Sequence, residues 1–362
     1  MSIGALTETQ ERQTGIASAV EDDEALLESM LRDVPLQSEL YRPGPYWSRT
    51  ARNTAYQIRR VGLRDFRGAS STIGVSLTDS IYVDVRNDLN GGLRSLLRGI
   101  LKSLFPFNRI FDTQVQLTRA HEAKARRLKN MMLAANPRVR DLVERYTIPP
   151  SLLGGCLDYV DLDGQRIAAL YLNELHQHDV IASDCRFSDI SSMLEIGGGF
   201  GGHVHCLIEN YPKLRKIVYL DIPPNLYIGT QYLRAIYGGS VITYRQTREL
   251  SEIRFSDNDK LEIVAIAPWQ IERLRMSIDL FHNAQSFVEM PAHIVANYAR
   301  HVAALQNFDR TRVVMHTYDG FDLRTSLDPA RLPGFWPTKK FDRKESLMLD
   351  GTYRVFSFVS RD

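Results

Sequence analysis

Residues 191–224, SSMLEIGGGFGGHVHCLIENYPKLRKIVYLDIPP, contain the pattern that decides the fold. The apolar run SSMLEIG predicts a strand, and five glycines follow within six residues. A helical pattern comes next, and a second strand-like run, KIVYLDI, carries an acid at its end. Glycines between a strand and a helix allow backbone dihedrals and close ligand approach that side chains would block. The stretch therefore predicts a ligand-binding loop in an α/β sheet.

The residues after this stretch continue the alternation of strands and helices. Further strand-like runs are KLEIVAIAP, MSIDLFHNA, RTRVVMHTY and YRVFSFVS. Helical patterns cover residues 166–182, 203–211, 225–237 and 289–305. This alternation favours a doubly wound, Rossmann-like and mostly parallel sheet. Because the last strand follows no helix, we expect it to be antiparallel.

The first part of the chain has a different texture. Its helical patterns lie at residues 24–34, 47–61, 93–104 and 116–136. We expect residues 1–20 to be disordered, residues 21–160 to form a helical N-terminal region, and residues 161–362 to form the ligand-binding sheet domain. We expect the aromatic residues Tyr41, Tyr46 and Trp47 to pack helices together, with stacking on a ligand ring as the alternative.

Composition places the chain among ordinary globular proteins. Of its 362 residues 44% are hydrophobic and 24% are charged, and no apolar run is long enough to span a bilayer. The first residues lack the basic and apolar regions of a signal peptide. The three cysteines match neither a metal-binding spacing nor a disulfide framework. A cytoplasmic protein without a transmembrane segment is therefore expected.

Charge is strongly segregated along the chain. Residues 1–40 carry nine acids and two arginines, a net charge of −7, whereas residues 41–150 have a net charge of +12. Most of these bases are expected on solvated helix faces, but a basic layer over a site would favour an anionic acceptor. No nucleic-acid-binding module accompanies them, so no nucleic-acid partner is expected. The amphipathic stretch at residues 93–104 predicts docking on the protein's own core or on a second copy, as in a homodimer, with a helix on a membrane surface as the alternative.

The glycine loop fits two ligand-binding patterns at once. Gly197, Gly199 and Gly202 satisfy G-x-G-x-x-G, the dinucleotide-binding fingerprint. Glu195, Gly197, Gly199 and Gly201 satisfy E-x-G-x-G-x-G, which resembles the first motif of S-adenosylmethionine-dependent methyltransferases. A P-loop is excluded, because no Gly-Lys-Ser or Gly-Lys-Thr follows the loop.

Glu195 favours the second pattern. A carboxylate at the end of the strand would repel a pyrophosphate and attract the ammonium and sulfonium groups of S-adenosylmethionine. Asp221 ends the next strand, at the position that hydrogen-bonds ribose hydroxyls in either class, so it supports a ribose without discriminating between them.

Several segments narrow the resemblance further. PGPYWSRTARNTAYQIRRVGLRDFRG, MLEIGGGFGGHV, YLDIPPNL and IDLFHNAQSFVEMP, spread over residues 40–310, resemble the sugar O-methyltransferase family of bacteria. The resemblance implies a class I methyltransferase domain at residues 161–362, with residues 21–160 as a substrate-recognition or lid region. It implies S-adenosyl-L-methionine as cofactor and S-adenosyl-L-homocysteine as product. The cofactor-binding residues would be Glu195, Gly197, Gly198, Gly199, Gly201, Asp221, Ile222, Pro268, Trp269 and Asn283.

The same resemblance implies methyl transfer to a hydroxyl of a sugar, a glycan or a glycosylated natural product, in polysaccharide or natural-product biosynthesis. The alternatives are an N- or O-methyltransferase of a non-sugar small molecule and a nicotinamide-dependent oxidoreductase. A nucleic-acid methyltransferase and a non-catalytic partner protein that has kept the fold are further alternatives.

Methyl transfer to oxygen requires a group that removes the proton of the acceptor hydroxyl. His282, at the end of the fourth strand, resembles the general base of plant-type O-methyltransferases, and Glu289 and His316 are further candidates on the same edge. The pairs in HQHD and HVH are not bidentate metal sites, because positions i and i+2 of a helix point to different sides. No metal is therefore expected.

Overall fold

The computed structural model of the chain describes residues 19–64, 66–67, 128–149, 152–305, 311–318, 327–349, 351 and 354–361. The strands in these ranges are β1 (Tyr159–Leu162), β2 (Gln165–Ala168), β3 (Ser192–Ile196), β4 (Lys216–Leu220), β5 (Val241–Ile242), β6 (Glu262–Ile266), β7 (Leu280–Ala284), β8 (Arg312–Tyr318), β9 (Phe341–Leu347) and β10 (Arg354–Ser360). The helices are α1 (Glu24–Asp33), α2 (Pro45–Val61), α3 (Pro137–Arg145), α4 (Ala169–Ile181), α5 (Gly202–Asn210), α6 (Asn225–Tyr237), α7 (Tyr244–Thr247) and α8 (Ala292–Leu305). Residues 128–135 are also helical.

Eight of the strands form one twisted sheet with the order β5-β6-β4-β3-β7-β8-β10-β9. The pairs from β5 to β8 are parallel, and β10 is antiparallel to both β8 and β9. The Rossmann-like α/β sheet with an antiparallel last strand is therefore confirmed, as is a helical region before it.

The order of the strands reverses at β3. The chain builds β4 and β6 on one side of β3, and then places β7 and β8 on the other. Open α/β sheets bind their ligands beyond the carboxyl ends of the strands at such a reversal. The glycine loop after β3 and the polar segment after β7 both lie at this position.

The strands around the reversal are buried on both sides. Every residue of β3 and of β6 is buried, as parallel strands covered by helices on both faces must be. All six strands expected from residue 191 onward are present, and β5 and β9 are additional.

Two sequence-predicted helices differ from the structure at their starts. Residues 165–168 form β2 instead of the first turn of a helix, because a hairpin turn with left-handed backbone at Asp163 and Gly164 pairs β2 with β1. The last predicted helix begins at Ala292 instead of residue 289, since Pro291 lacks an amide hydrogen and fits only the start of a helix. A 3₁₀ turn, Ser286–Glu289, precedes it.

The described part of the N-terminal region docks on the sheet domain through α1. The Asp33 carboxylate accepts hydrogen bonds from the Tyr244 hydroxyl at 2.6 Å and from Nε and Nη2 of Arg248 at 2.6 and 2.9 Å. The expected boundary at residue 160 falls inside β1. Residues 1–18, the amphipathic stretch at residues 93–104 and the first part of the helix expected at residues 116–136 lie outside the described ranges. Among the described residues no helix is long and apolar enough to cross a membrane.

Gly229 of α6 packs directly against Tyr219 of β4. A methyl group at this position would overlap the Tyr219 hydroxyl, which donates a hydrogen bond of 2.5 Å to the carbonyl oxygen of Gly199 in the glycine loop. The contact therefore couples α6 to the loop.

We expect Gly229→Ala to lower the free energy of unfolding by about 1–3 kcal/mol, because the added methyl overpacks a buried contact. The higher helix propensity of alanine alone would raise the free energy of unfolding by about 1 kcal/mol. Chemical denaturation measures the difference. Gly239→Ala is the matched control, because its added methyl would meet no atom within 4 Å. A Gly229→Ala protein as stable as the control would contradict the expectation.

Candidate active site

The glycine loop joins β3 to α5 with left-handed backbone at three glycines. The φ angles are +78° at Gly197, +61° at Gly199 and +87° at Gly201, a region that L side chains rarely adopt. A methyl group on Gly197 would overlap the Ser286 side chain, so the loop lies directly against the segment after β7. A methyl group on Gly199 would meet no atom within 4 Å, so the loop faces open space there.

Gly198 packs closely against side chains of the sheet. A methyl group there would lie 2.5 Å from the Tyr219 ring and 3.0 Å from Oε2 of Glu195. Its role is therefore close packing on the sheet.

A cavity of about 710 Å³, counting its open mouth, lies at the carboxyl ends of β3, β4 and β7. The sheet side of its lining consists of Ile196, Gly197, Gly199, Leu220, Asp221, Ile222, Asn225, Ala284, Ser286 and Glu289. The N-terminal region contributes Arg42, Pro43, Gly44 and Trp47, and the start of α8 and its surroundings contribute Met290, Pro291, Ile294 and Tyr298. The cavity is thus enclosed between the sheet edge and the N-terminal region.

Asp221 directly follows β4 and lies beside the glycine loop. Its Oδ2 accepts a hydrogen bond of 2.7 Å from the amide of Gly199, and its Oδ1 accepts one of 2.6 Å from the amide of Ile222. Burial raises the pKa of the Asp221 carboxyl to about 7, although these amide hydrogen bonds oppose the shift. The Asn225 side chain also hydrogen-bonds this carboxyl, so one of its roughly four lone-pair positions remains for a ligand hydroxyl.

Glu289 ends the turn after β7 and is the second carboxylate of the cavity. Its Oε2 accepts a hydrogen bond of 2.9 Å from the Trp47 indole, and its Oε1 accepts one of 3.2 Å from the Tyr318 hydroxyl. These two contacts hold the carboxylate in place and tie α2 to the mouth of the cavity. Tyr41, by contrast, packs on Tyr298 and donates a hydrogen bond to Glu272, as the packing expectation stated. The side chain of Tyr46 lies outside the described part of the chain.

The lining is mostly apolar, and its charged residues are two acids and one base. Among the described residues that line the cavity the only basic one is Arg42, whose Nε and Nη2 donate to the carbonyl oxygens of Gln37 and Pro35. Asp221 and Glu289 face the cavity without a lysine or a second arginine in the lining. A ligand with positive charge and no phosphate suits such a lining.

The expectation that Glu195 contacts the cofactor does not fit its position. Side chains alternate along a strand, and Ile196 faces the cavity, so Glu195 points to the other side of β3. Its Oε1 lies 2.6 Å from Nδ1 of His203 and 3.1 Å from Nδ1 of His282. Burial alone would raise the pKa of the Glu195 carboxyl, but the two imidazoles outweigh it and lower the pKa to about 2.

The two histidines expected as general bases also lie away from the cavity. His282 is in the middle of β7, paired in register with Glu195, and its side chain is fully buried. Burial, assisted by His203, lowers the pKa of the His282 imidazole to about 4. His316 is buried on β8, where Nδ1 lies 2.8 Å from the Ser357 hydroxyl. Neither ring can reach an acceptor in the cavity, so of the three candidate bases the structure brings only Glu289 there.

Asn283 holds the segment after β7 in place. Its Nδ2 donates to the Ile196 carbonyl oxygen at 2.8 Å and to Oγ of Ser286 at 2.6 Å, while its Oδ1 accepts from the amide of Phe287. Both of its polar atoms therefore have partners inside the protein, and Asn283 does not line the cavity.

Pro268 and Trp269, expected among the cofactor-binding residues, do not line the cavity. Trp269 is buried after β6, with its ring edge-on to Tyr244 at a centroid distance of 6.0 Å. Gln270 donates to Oγ1 of Thr247 at 3.0 Å. These residues form core behind the edge of the sheet.

The sequence interpretation missed several lining residues. Asn225 begins α6 directly after the DIPP segment, and Tyr298 lies one helical turn after Ile294 on α8. The polar residue after a strand-end acid was a usable signal for Asn225. Tyr298 carried none, because an aromatic residue on an amphipathic helix is the ordinary pattern of a core residue.

Some solved structures are similar to this chain. No protein-family model matches the chain, and no curated protein matches its sequence. Similar solved structures include the mitomycin 7-O-methyltransferase MmcR, with a TM-score of 0.36 and 13% identity over 53% of this chain and 57% of that chain. Human N-acetylserotonin methyltransferase in complex with SAM has a TM-score of 0.35 and 12% identity over 53% of each chain. Mycolic acid cyclopropane synthase CmaA1, complexed with SAH and CTAB, has a TM-score of 0.37 and 10% identity over 53% of this chain and 85% of that chain.

The chain thus spans little more than half of the first two structures. At these identities, residue roles and substrates cannot be carried over from the similar structures to this chain. The geometry of the cavity is the basis on which a function can be proposed.

Proposed function

We propose that the protein is an S-adenosylmethionine-dependent methyltransferase that acts on a hydroxyl group of a sugar, a glycan or a glycosylated natural product. The observation that carries the proposal is the pair of carboxylates in the cavity over the glycine loop, with Asp221 on one side and Glu289 on the other. A cofactor with a sulfonium and an ammonium group, a ribose and no phosphate matches that lining.

A dinucleotide matches it less well. Glycine loops bind a pyrophosphate through free backbone amides at the start of a helix. Here the amide of Gly199 already donates to Asp221. A phosphate about 5 Å from a carboxylate would be repelled by about 3 kcal/mol at an effective dielectric constant of about 20.

The residues present fit the proposed cofactor. The remaining lone pair of the Asp221 carboxylate suits a ribose hydroxyl, and the open space over Gly199 admits a ligand against the loop backbone. Ile222 and Leu220 offer apolar surface next to Asp221. When bound, the cofactor supplies an electrophilic methyl group.

Glu289 is then the group that takes up the proton of the acceptor hydroxyl. Its carboxylate is held by Trp47 and Tyr318, so its position is fixed before an acceptor arrives. Residues 42–44 and Trp47 cover the cavity from the N-terminal side, which suits the role of residues 21–160 as a lid that recognises the acceptor. The Trp47 ring supplies a surface on which a sugar ring can stack.

Acceptor class is tested by incubating the protein with S-adenosylmethionine that carries an isotope-labelled methyl group. Nucleotide-linked sugars, polysaccharide fragments and glycosylated natural products form one panel, and aglycones and amines form the other. The proposal expects label on a hydroxyl oxygen of a sugar. Label found only on an aglycone or on nitrogen would support methyltransferase activity but would contradict a sugar hydroxyl as the acceptor.

Binding of S-adenosylhomocysteine should strengthen as the pH rises through about 7. Burial raises the pKa of the Asp221 carboxyl to about 7, and the proposed ribose contact needs the carboxylate, which is protonated below that value. We expect the dissociation constant to fall by about tenfold between pH 6 and pH 8. Calorimetric titrations in matched buffers measure this slope. Asp221→Asn should remove it, and an equal slope in that variant would assign the pH dependence to another group.

A further inference from the structure

Behind the glycine loop, three histidines and one glutamate meet inside the protein. They come from four different elements: Glu195 from β3, His178 from α4, His203 from α5 and His282 from β7. Relative exposure is 0% for Glu195, His178 and His282 and 5% for His203. None of the four lines the cavity, so the proposed methyl transfer does not use them.

The polar atoms of this cluster are very close together. Nε2 of His178 lies 2.6 Å from Nε2 of His203, and Nδ1 of His203 and of His282 both lie near Oε1 of Glu195. The rings of His203 and His282 are stacked, with centroids 3.9 Å apart. One potential ligand atom from each of the three histidines lies within 4.8 Å of the others.

Protons alone do not satisfy this cluster. Three neutral imidazoles carry one N–H each. Two of these can serve Oε1 of Glu195, and the third can join His178 to His203. Nδ1 of His178, Nε2 of His282 and Oε2 of Glu195 then remain buried without a hydrogen-bond partner. Buried polar atoms without a partner are rare and unfavourable, and a metal ion can take the lone pairs of imidazole nitrogens and of a carboxylate that protons leave unpaired.

We propose that His178, His203, His282 and Glu195 bind one divalent transition-metal ion of the zinc type. Three imidazoles and a carboxylate form a closed four-ligand set of the kind that structural zinc sites use. Zinc–nitrogen bonds of 2.0–2.1 Å in a tetrahedral site place the nitrogens about 3.3 Å apart. The ligand atoms of the three histidines, which lie within 4.8 Å of one another, have to approach this spacing when the ion binds.

The position of the site indicates what the ion does. Glu195 lies two residues before the glycine loop begins at Gly197, and His203 is the second residue of α5, directly after it. An ion bound to both would fix the two ends of the loop, while His282 and His178 anchor it to β7 and α4. This is a structural role, and it is independent of which cofactor the loop binds.

The histidine spacing in the sequence does not show this site. HQHD and HVH each contribute one histidine, His178 and His203, in keeping with the opposite directions of neighbouring side chains in a helix. The third histidine is 79 residues further along the chain, at position 282.

Metal content of the intact protein tests the proposal. Because the cluster is buried, the ion has to enter during folding, so the chain is produced in minimal medium with Co²⁺ as the probe. We expect about one cobalt per chain by elemental mass spectrometry, with visible absorption bands of four-coordinate cobalt. His178→Gln and His282→Gln should each lower the content at least fivefold and remove the bands.

His176→Gln is the matched control, because His176 lies on α4 two residues before His178 and its Nε2 is 3.1 Å from the Leu347 carbonyl oxygen. It should keep the wild-type cobalt content. Wild-type protein that is folded by circular dichroism and carries no cobalt would overturn the proposal and leave a proton-shared histidine cluster. Equal cobalt in wild type and both cluster variants would overturn it as well, since the metal would then be bound elsewhere. The cobalt content of the wild-type protein is sufficient to contradict the proposal, so the test does not depend on whether the variants fold.

Discussion

Glu289→Gln is expected to lower the rate of methyl transfer by about 10²–10⁴-fold, the range that a positioned general base contributes. Glutamine has nearly the same shape and keeps an oxygen that accepts from Trp47 or Tyr318, so the turn after β7 should stay in place. What it loses is the ability to take up the proton of the acceptor hydroxyl. The reaction rate at saturating acceptor and cofactor measures the effect.

The matched control for this variant is Glu249→Gln. The Glu249 side chain is 82% exposed and lies outside the cavity lining, so its replacement should leave the rate unchanged. S-adenosylhomocysteine affinity of the Glu289→Gln protein should fall much less than its rate, which separates proton transfer from cofactor binding. A Glu289→Gln protein with wild-type rate would show that Glu289 only holds Trp47 and that another group removes the proton.

Asp221→Asn is expected to weaken S-adenosylhomocysteine binding by about 10- to 100-fold at pH 8. Hydrogen bonds to a charged group contribute about 1.5–3 kcal/mol, and each 1.4 kcal/mol is a factor of ten in affinity. The carboxylate also attracts the positive charge of the cofactor, and the amide of asparagine does not.

Stability should change in the opposite direction. Burial raises the pKa of Asp221 above the value of an unfolded chain, so ionisation of this carboxyl favours the unfolded state increasingly as the pH rises from about 4 to about 7. At pH 8 the Asp221→Asn protein should therefore be at least as stable as the wild type. Thermal unfolding checks this, and the exposed Asp257→Asn is the control that should change neither quantity. Weaker binding that came with a lower melting temperature would indicate a damaged fold instead of a lost contact.

Much of the sheet could be predicted from the sequence, because its strands are short apolar runs between turn signals. The glycine loop, its place after β3 and the antiparallel last strand followed from local pattern alone. The β1–β2 hairpin had a signal as well, the Asp163-Gly164 pair, but the helical pattern that follows it extended too far back.

The direction of the Glu195 side chain could not be predicted. Alternation of apolar and polar residues shows which way a side chain points only when one face of the strand is exposed. Both faces of β3 are buried, so its sequence has no such alternation. The same limit applies to His282, which lies opposite Glu195 in the register of β3 and β7. The histidine cluster could not be predicted either, because it forms through contacts between residues that are far apart in sequence.

Position along a strand explains which of the candidate residues line the cavity. Asp221 and Glu289 come after the last residues of β4 and β7, so both lie at the carboxyl edge of the sheet. Pro268 and Trp269 also follow a strand, but the 3₁₀ turn that they begin packs Trp269 into the core.

Calorimetric titration of the purified protein at pH 8, with S-adenosylhomocysteine and separately with reduced and oxidised nicotinamide dinucleotides, decides which cofactor the cavity binds. The two carboxylates of the cavity predict saturable binding of S-adenosylhomocysteine at about one site per chain, lost by at least tenfold in Asp221→Asn, and no measurable dinucleotide binding. Dinucleotide binding without S-adenosylhomocysteine binding, in protein that is folded by circular dichroism, would contradict it.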